Sequence, residues 1–252
     1  MTKISGSQIA KAGFSNEKEI ANKFNNWQND NEAQLWLEIM QYKLEEIEWV
    51  KAIVIAGHKA DLNIQIQIKL KKAINIQNIQ VKLVSNKKGF NQIDKRWVDS
   101  YAKLWDIPSE IVEILKYFTG EKPPYIPNPK DKRRMFATEF SSQEQTKLLE
   151  WLNQNKIMIL TDIIKGRGEF SAEWVLVAQK TPNNARWILK NISEVLNHYG
   201  FGEISISPRG SIHFARVLIQ RKGGDGGAKS ANMLQFKIDP TELFEGDVPT
   251  PS

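Results

Sequence analysis

The stretch DLNIQIQIKLKKAINIQNIQVK, Asp61–Lys82, decides how the chain folds. Leu62, Ile64, Ile66, Ile68 and Leu70 alternate with Asn63, Gln65, Gln67 and Lys69, the period of a strand with one apolar and one polar face. The chain turns near Lys71-Lys72-Ala73. A second strand carries Ile79, Val81 and Leu83 on one face and Gln80, Lys82 and Val84 on the other. If the two strands pair antiparallel, the start of the first lies beside the end of the second. Asp61, Gln80 and Lys82 then converge at one end of a sheet. An acid, a second oxygen ligand and a lysine so placed can hold a divalent metal and a phosphate. The alternative is a polar hairpin face in water.

Outward from this stretch, helices and strands alternate. Residues 7–29 read as a helix, with Ile20, Phe24 and Trp27 at helical spacing and Glu17 on it. A second helix is expected over Glu32–Ile47 and a buried strand over Val50–Ala56. After the second strand comes a basic loop, Ser85–Trp97. Trp97–Phe118 reads as helix broken at Pro108, with Ser109 as the restart. Pro123, Pro124, Pro127 and Pro129 impose an extended surface segment. A helix over Ser141–Asn155 with Ser142 as cap, a strand over Lys156–Ile164, a strand over Trp174–Ala178 and a helix over Asn183–Tyr199 follow. The remainder reads as strands, Glu203–Ser207, Ile212–Arg221 and Met233–Ile238. The expectation is a single mixed α/β domain over residues 1–246, with a loose tail at 247–252.

The bulk numbers set limits. A chain of 252 residues buries a sizeable core. The absence of cysteine excludes disulfides, thiolate metal sites and cysteine nucleophiles. A net charge of +6 and a pI near 9.3 are compatible with a polyanionic partner without requiring one. Neither an apolar leader nor a run of 18 apolar residues is present, so a cytoplasmic protein with no membrane partner is expected.

The chemistry is narrowed by comparing the four Q-x-K tripeptides, at Gln67, Gln80, Gln220 and Gln235. Gln67 is on the same strand as Asp61, about 20 Å away at about 3.3 Å per residue, too far to share a metal. Gln220 and Gln235 have their nearest acids downstream, at Asp225 and Asp239. Only Gln80 and Lys82 follow an acid by one strand-turn-strand excursion. Asp61, the side-chain oxygen of Gln80 and the carbonyl of Val81 suit Mg²⁺, a cation that prefers oxygen ligands. Lys82 would orient or deprotonate the attacking water, or stabilise developing charge, in phosphodiester hydrolysis. Glu17 is a candidate outer-shell contact; the competing reading is a solvated charge on an exposed helix face.

An acid followed on a neighbouring strand by (D/E/Q)-x-K resembles the PD-(D/E)XK nuclease core. The segments NIQVKLVSNKKGFNQIDKRW, PKDKRRMF, AEWVLVAQK, NNARWIL, SPRGSI, QRKGGD and ANMLQFKIDPTELF resemble type II restriction endonucleases that cut GCGC, over nearly the whole chain. The resemblance implies a restriction-endonuclease-like α/β fold, with a mixed central β-sheet flanked by helices. It puts Asp61, Gln80 and Lys82 on catalytic positions, with Mg²⁺ as cofactor and double-stranded DNA as substrate. It also implies a DNA cytosine methyltransferase as functional partner, and a palindromic target favours a homodimer. Ala60 stands where a proline is frequent, and Gln80 replaces the usual acid, so the site is less negative and should bind metal more weakly. A non-catalytic, sequence-specific DNA-binding protein on the same fold is the alternative.

The same reading selects DNA contacts. Lys87 and Lys95 suit phosphates, Asn91 and Gln92 carry amides suited to base edges, and Phe90 can wedge between base steps. Near the C-terminus Arg209, on a Pro-Arg-Gly turn, is the preferred guanine reader, with Arg221, Gln235 and Lys237 as further contacts.

Overall fold

The structure is a computed structural model, described for residues 6–55, 63–70, 73–224 and 228–247. The chain forms two units, each built on a five-stranded sheet. The first takes the described residues of Met1–Gly89, Lys165–Val195 and Pro240–Ser252. In it, helices α1 (Gly6–Asn25) and α2 (Asn31–Ile39) precede strands β1 (Ile47–Ile55), β2 (Asn63–Leu70) and β3 (Ala73–Val84). The second unit takes Phe90–Ile164 and Leu196–Asp239. It opens with β4 (Asn91–Arg96), α3 (Val98–Trp105), α4 (Ser109–Thr119), α5 (Ser142–Gln154) and α6 (Lys156–Leu160). The chain then returns to the first unit as β5 (Trp174–Thr181) and β6 (Asn184–Asn191). Helix α7 (Ile192–Gly200) leads back to β7 (Ile204–Ile206), β8 (Ile212–Phe214), β9 (Val217–Arg221) and β10 (Leu234–Ile238).

The first sheet has the order β1-β2-β3-β5-β6 and is mixed: β3 and β5 run parallel, and the other neighbours antiparallel. A parallel pair needs a crossover, and here the crossover from β3 to β5 contains the first part of the second unit. The alternation read in the sequence is realised in β2. Ile64, Ile66 and Ile68 are fully buried and pack with Ile79, Val81, Leu176 and Leu189 against Ile20 and Phe24 of α1 and Trp36 of α2. Truncating one of these isoleucines to alanine costs about 2–5 kcal/mol in such cores.

The second sheet is antiparallel, in the order β4-β10-β9-β8-β7. One face is apolar: Val217, Ile219, Leu234, Phe236 and Phe214 are at most 1% exposed. Tyr101 and Trp105 of α3 meet the Phe236 ring edge-on at 5.4 and 5.8 Å. The Trp105 indole N–H donates to buried Asp162 at 2.8 Å. The other face carries Gln92, Lys95, Gln220, Gln235 and Lys237, by the pairings Gln235↔Gln220, Gln235↔Lys95 and Lys237↔Gln92.

Several elements differ from the sequence reading. Helix α2 stops at Ile39, because Gln41 takes a left-handed φ of 68°, and β1 begins at Ile47. The expected loop Ser85–Trp97 ends at Phe90; Asn91–Arg96 is a strand. Pro108, not Ser109, occupies the cap position of α4. Ser141, not Ser142, caps α5, accepting from Glu144 N–H in a capping box. Lys156–Ile164 is helical, continuing from α6 into a π-turn at Thr161–Lys165, and not a strand. Its buried residues, Ile159, Leu160, Ile163 and Ile164, recur at helical spacing while Ile157 is 82% exposed. Asn183–Tyr199 is not one helix. Pro182 and Asn183 turn the chain, Asn184–Asn191 pairs antiparallel with β5, and the helix starts at Ile192.

Candidate active site

Gln80 and Lys82 leave one face of β3 while Ile79 and Val81 enter the core on the other, as strand alternation requires. Both are buried, at 8% and 5% exposure. Their neighbours across the parallel pairing are Val175 for Gln80 and Val177 for Lys82, with Gln179 opposite Val84. An amide and an amine thus stand side by side on a floor of buried valines. The antiparallel pairing sets Asn63 opposite Gln80. Asp61 precedes Asn63 by two residues in sequence and lies outside the described residues.

Glu17 is 5% exposed, which removes the reading as a solvated helix charge. It shares a stripe of α1 with Ile20, Ala21 and Phe24, and that stripe meets the Ile79–Val81 side of the sheet. Beside it, both amide atoms of Asn16 are buried with no hydrogen-bond partner among the described residues.

Gln179 was not selected from the sequence, yet it fixes the chain beyond β3. Its Nε2 donates to the carbonyls of Asn86 and Lys87 at 2.7 and 3.0 Å, and its Oε1 accepts from Arg186 Nε at 2.6 Å. The Arg186 guanidinium in turn lies over the Phe244 ring at 4.1 Å. Lone glutamines on strands are common, so only the strand register reveals this role.

Of the DNA-contact candidates, Lys87 and Arg209 are exposed, and Phe90 is 51% exposed. Arg209 sits on a pinned turn: Gly210 N–H donates to Ser207 O at 2.8 Å, and Ala137 N–H donates to Gly210 O at 3.0 Å. Gly210 has φ +78°, and a Cβ there would stand 2.5 Å from Phe136 Cβ, so only glycine fits. Gln92, Lys95, Gln235 and Lys237 share the polar face of the second sheet. Burial alone pulls the Lys237 ammonium below its ordinary range. Asn91, opposite Ile238, and Arg221, opposite Leu234, belong to the other face by register. The Arg221 guanidinium is bound to Asn232 Oδ1 at 2.7 and 3.2 Å, and Asn232 to Gly120 O at 2.7 Å.

Among the described residues no three His, Cys, Asp or Glu side chains gather to hold a metal. The oxygen donors at the end of β3, the Gln80 side chain and the Val81 carbonyl, fit a hard cation once a carboxylate joins them.

The profile of the R.HinP1I restriction endonuclease family matches residues 40–244. The chain belongs to the R.HinP1I restriction endonuclease family. It is accordingly a type II site-specific deoxyribonuclease, a sequence-specific DNA endonuclease. Its fold is that of the restriction endonuclease MspI, whose crystal structure was determined in complex with its cognate DNA. That likeness has a TM-score of 0.64 at 16% sequence identity and covers 92% of this chain and 91% of MspI. A search of curated proteins returned no match. None of the described helices is long and apolar enough to cross a membrane.

Proposed function

We propose that the enzyme hydrolyses double-stranded DNA at the palindrome GCGC with Mg²⁺, in the cytoplasm, as the cutting half of a restriction-modification system. The supporting observation is the burial of Gln80 and Lys82 side by side on β3, opposite the strand that Asp61 precedes. Asp61, Gln80 Oε1 and the Val81 carbonyl would hold the cation. When bound, Mg²⁺ lowers the pKa of a coordinated water and neutralises the scissile phosphate. Lys82 donates hydrogen bonds to the phosphate oxygens or the attacking water, which places positive charge where negative charge develops. With an amide in place of a carboxylate, the donor set carries less negative charge and holds the cation less tightly.

Lys87, Lys95, Arg221 and Lys237 neutralise phosphates in this reading, and Asn91, Gln92 and Gln235 serve sequence reading. Phe90, half exposed after Gly89, wedges between base steps and bends the duplex. Arg209 is the preferred guanine reader, donating to O6 and N7. The palindrome favours a homodimer, and a cytosine methyltransferase would protect host DNA.

The test is digestion of a sequenced plasmid with Mg²⁺ followed by mapping of the ends. Ends at GCGC are expected; ends elsewhere overturn the specificity. Asp61→Ala should abolish cleavage and keep binding, and undiminished cutting in that variant would remove Asp61 from the site.

A further inference from the structure

We propose that Gln220, Gln235 and Gln92 form a polarised amide ladder that decides which group Gln92 offers to a base, making Gln235 and Gln220 positioning residues for sequence reading. The inference rests on Gln92 as a base reader, as set out above.

The three residues lie on the polar face of three neighbouring strands, β9, β10 and β4. Gln220 Nε2 donates to Gln235 Oε1 at 3.3 Å, and Gln235 Nε2 donates to Gln92 Oε1 at 2.6 Å. Gln235 is 5% exposed, whereas Gln220 and Gln92 are partly buried. Both ends of the buried central amide are used, so its orientation is set by its neighbours. The ladder therefore has a direction. Gln92 has its oxygen occupied and its NH₂ without another partner among the described residues.

The consequence follows from the major-groove code. An unconstrained glutamine reads adenine with two bonds, accepting from N6 and donating to N7. With Oε1 already accepting from Gln235, one of its lone pairs is taken and its direction is fixed by that bond, so that mode is disfavoured. What Gln92 still offers is a pair of N–H donors, which match the O6 and N7 acceptors of guanine. Lys95, opposite Gln235, and Lys237, opposite Gln92, add donors and positive charge to the same face. Three neutral amides thus do what a single one cannot: they favour a G·C pair over A·T at the position Gln92 reads.

The test uses Gln235→Glu, Gln235→Met, Gln220→Met and Gln92→Ala. Each is titrated without divalent metal against the enzyme's own mapped site and duplexes with single base-pair replacements, and thermal midpoints monitor folding. Glu at position 235 can accept from Gln220 but cannot donate, so Gln92 turns its NH₂ inward and its oxygen out. Discrimination of G·C against A·T at one pair should then fall by about tenfold or more, the scale of one bidentate contact. Met at 235 should release Gln92 to read adenine and give the same loss at the same pair. Gln220→Met, at a partly buried position, should show a smaller loss there and stands in if the buried site does not tolerate replacement. A uniform change across all duplexes in the 220 and 235 variants, with a base-specific effect of Gln92→Ala, overturns the ladder. No base-specific effect of Gln92→Ala overturns the underlying assignment of Gln92.

Discussion

In the proposed mechanism Lys82 is the side chain on which the chemistry turns. It is 5% exposed, on the same face as Val84 and opposite Val177, so its ammonium acts where water competes little. Removing a positioned charge or proton-transfer group from such a site typically costs about 10²-fold or more in rate. Lys82→Ala should therefore slow single-turnover cleavage by about that factor while equilibrium binding to the site persists. A wild-type rate in this variant excludes Lys82 from the reaction. The pairing of Gln80 with Lys82 was legible in the sequence, because a period of two fixes which side chains share a face. The role of Gln179 was not. A glutamine on a half-exposed strand has the same appearance whether it faces water or clamps a loop, and only register shows that Gln179 meets the carbonyls of Asn86 and Lys87. Burial of Glu17 was equally hidden, since its place on a core-facing stripe of α1 depends on what the helix packs against.

At the scale of the element, the misread segments share a physical cause. Ile157–Ile164 is rich in β-branched residues, and the apolar run suggested a strand, but burial at Ile159, Leu160, Ile163 and Ile164 follows the helical period. Asn184–Asn191 is held as a strand by its pairing with β5, a contact that local propensity does not contain. The starts of α1 to α5 fall within one residue of the expected positions, whereas α7 starts at Ile192 and not at Asn183, and the energetics of a helix start can be tested at α2. Asp30 caps it, accepting from Ala33 N–H at 3.0 Å and from Lys23 at 3.0 Å. Burial opposes ionisation of Asp30, but the hydrogen bonds from Ala33 and Lys23 outweigh it and hold the carboxyl below its ordinary value of 3.8. Asp30→Ala should destabilise the protein by about 1 kcal/mol at neutral pH, the usual worth of an N-cap. A carboxyl with a depressed folded pKa contributes stability above its unfolded pKa and loses it as pH falls through the folded value. The gap between wild type and variant in urea unfolding should therefore be full at pH 7 and shrink below about pH 4. A gap that stays constant into acid would show that the Asp30 charge plays no part.

Taken whole, the molecule couples two sheets through chain that leaves and re-enters each unit. Strand β3, with Gln80 and Lys82, ends at Val84, and β4, with Gln92 and Lys95, starts at Asn91. The sequence already showed this succession, because catalytic pattern and basic loop are contiguous. It did not show that the candidate base readers belong to a second sheet, since β4 pairs with β10, far along the chain. The excess of positive charge, +6, gives this arrangement a measurable signature. Each phosphate neutralised by a lysine or arginine releases condensed counterions, with a slope of about −0.9 in log K against log salt. The four cations assigned to phosphates, Lys87, Lys95, Arg221 and Lys237, therefore predict a slope of about −3.6 for binding between about 50 and 200 mM salt. Fluorescence anisotropy with a labelled duplex, without divalent metal, measures it directly. Lys87→Ala should make the slope shallower by about 1, and by the same amount on cognate and unrelated duplexes, because a phosphate contact carries no sequence information. A flat salt dependence would remove the phosphate contacts altogether. A loss at Lys87 confined to the cognate duplex would instead make that residue a base reader.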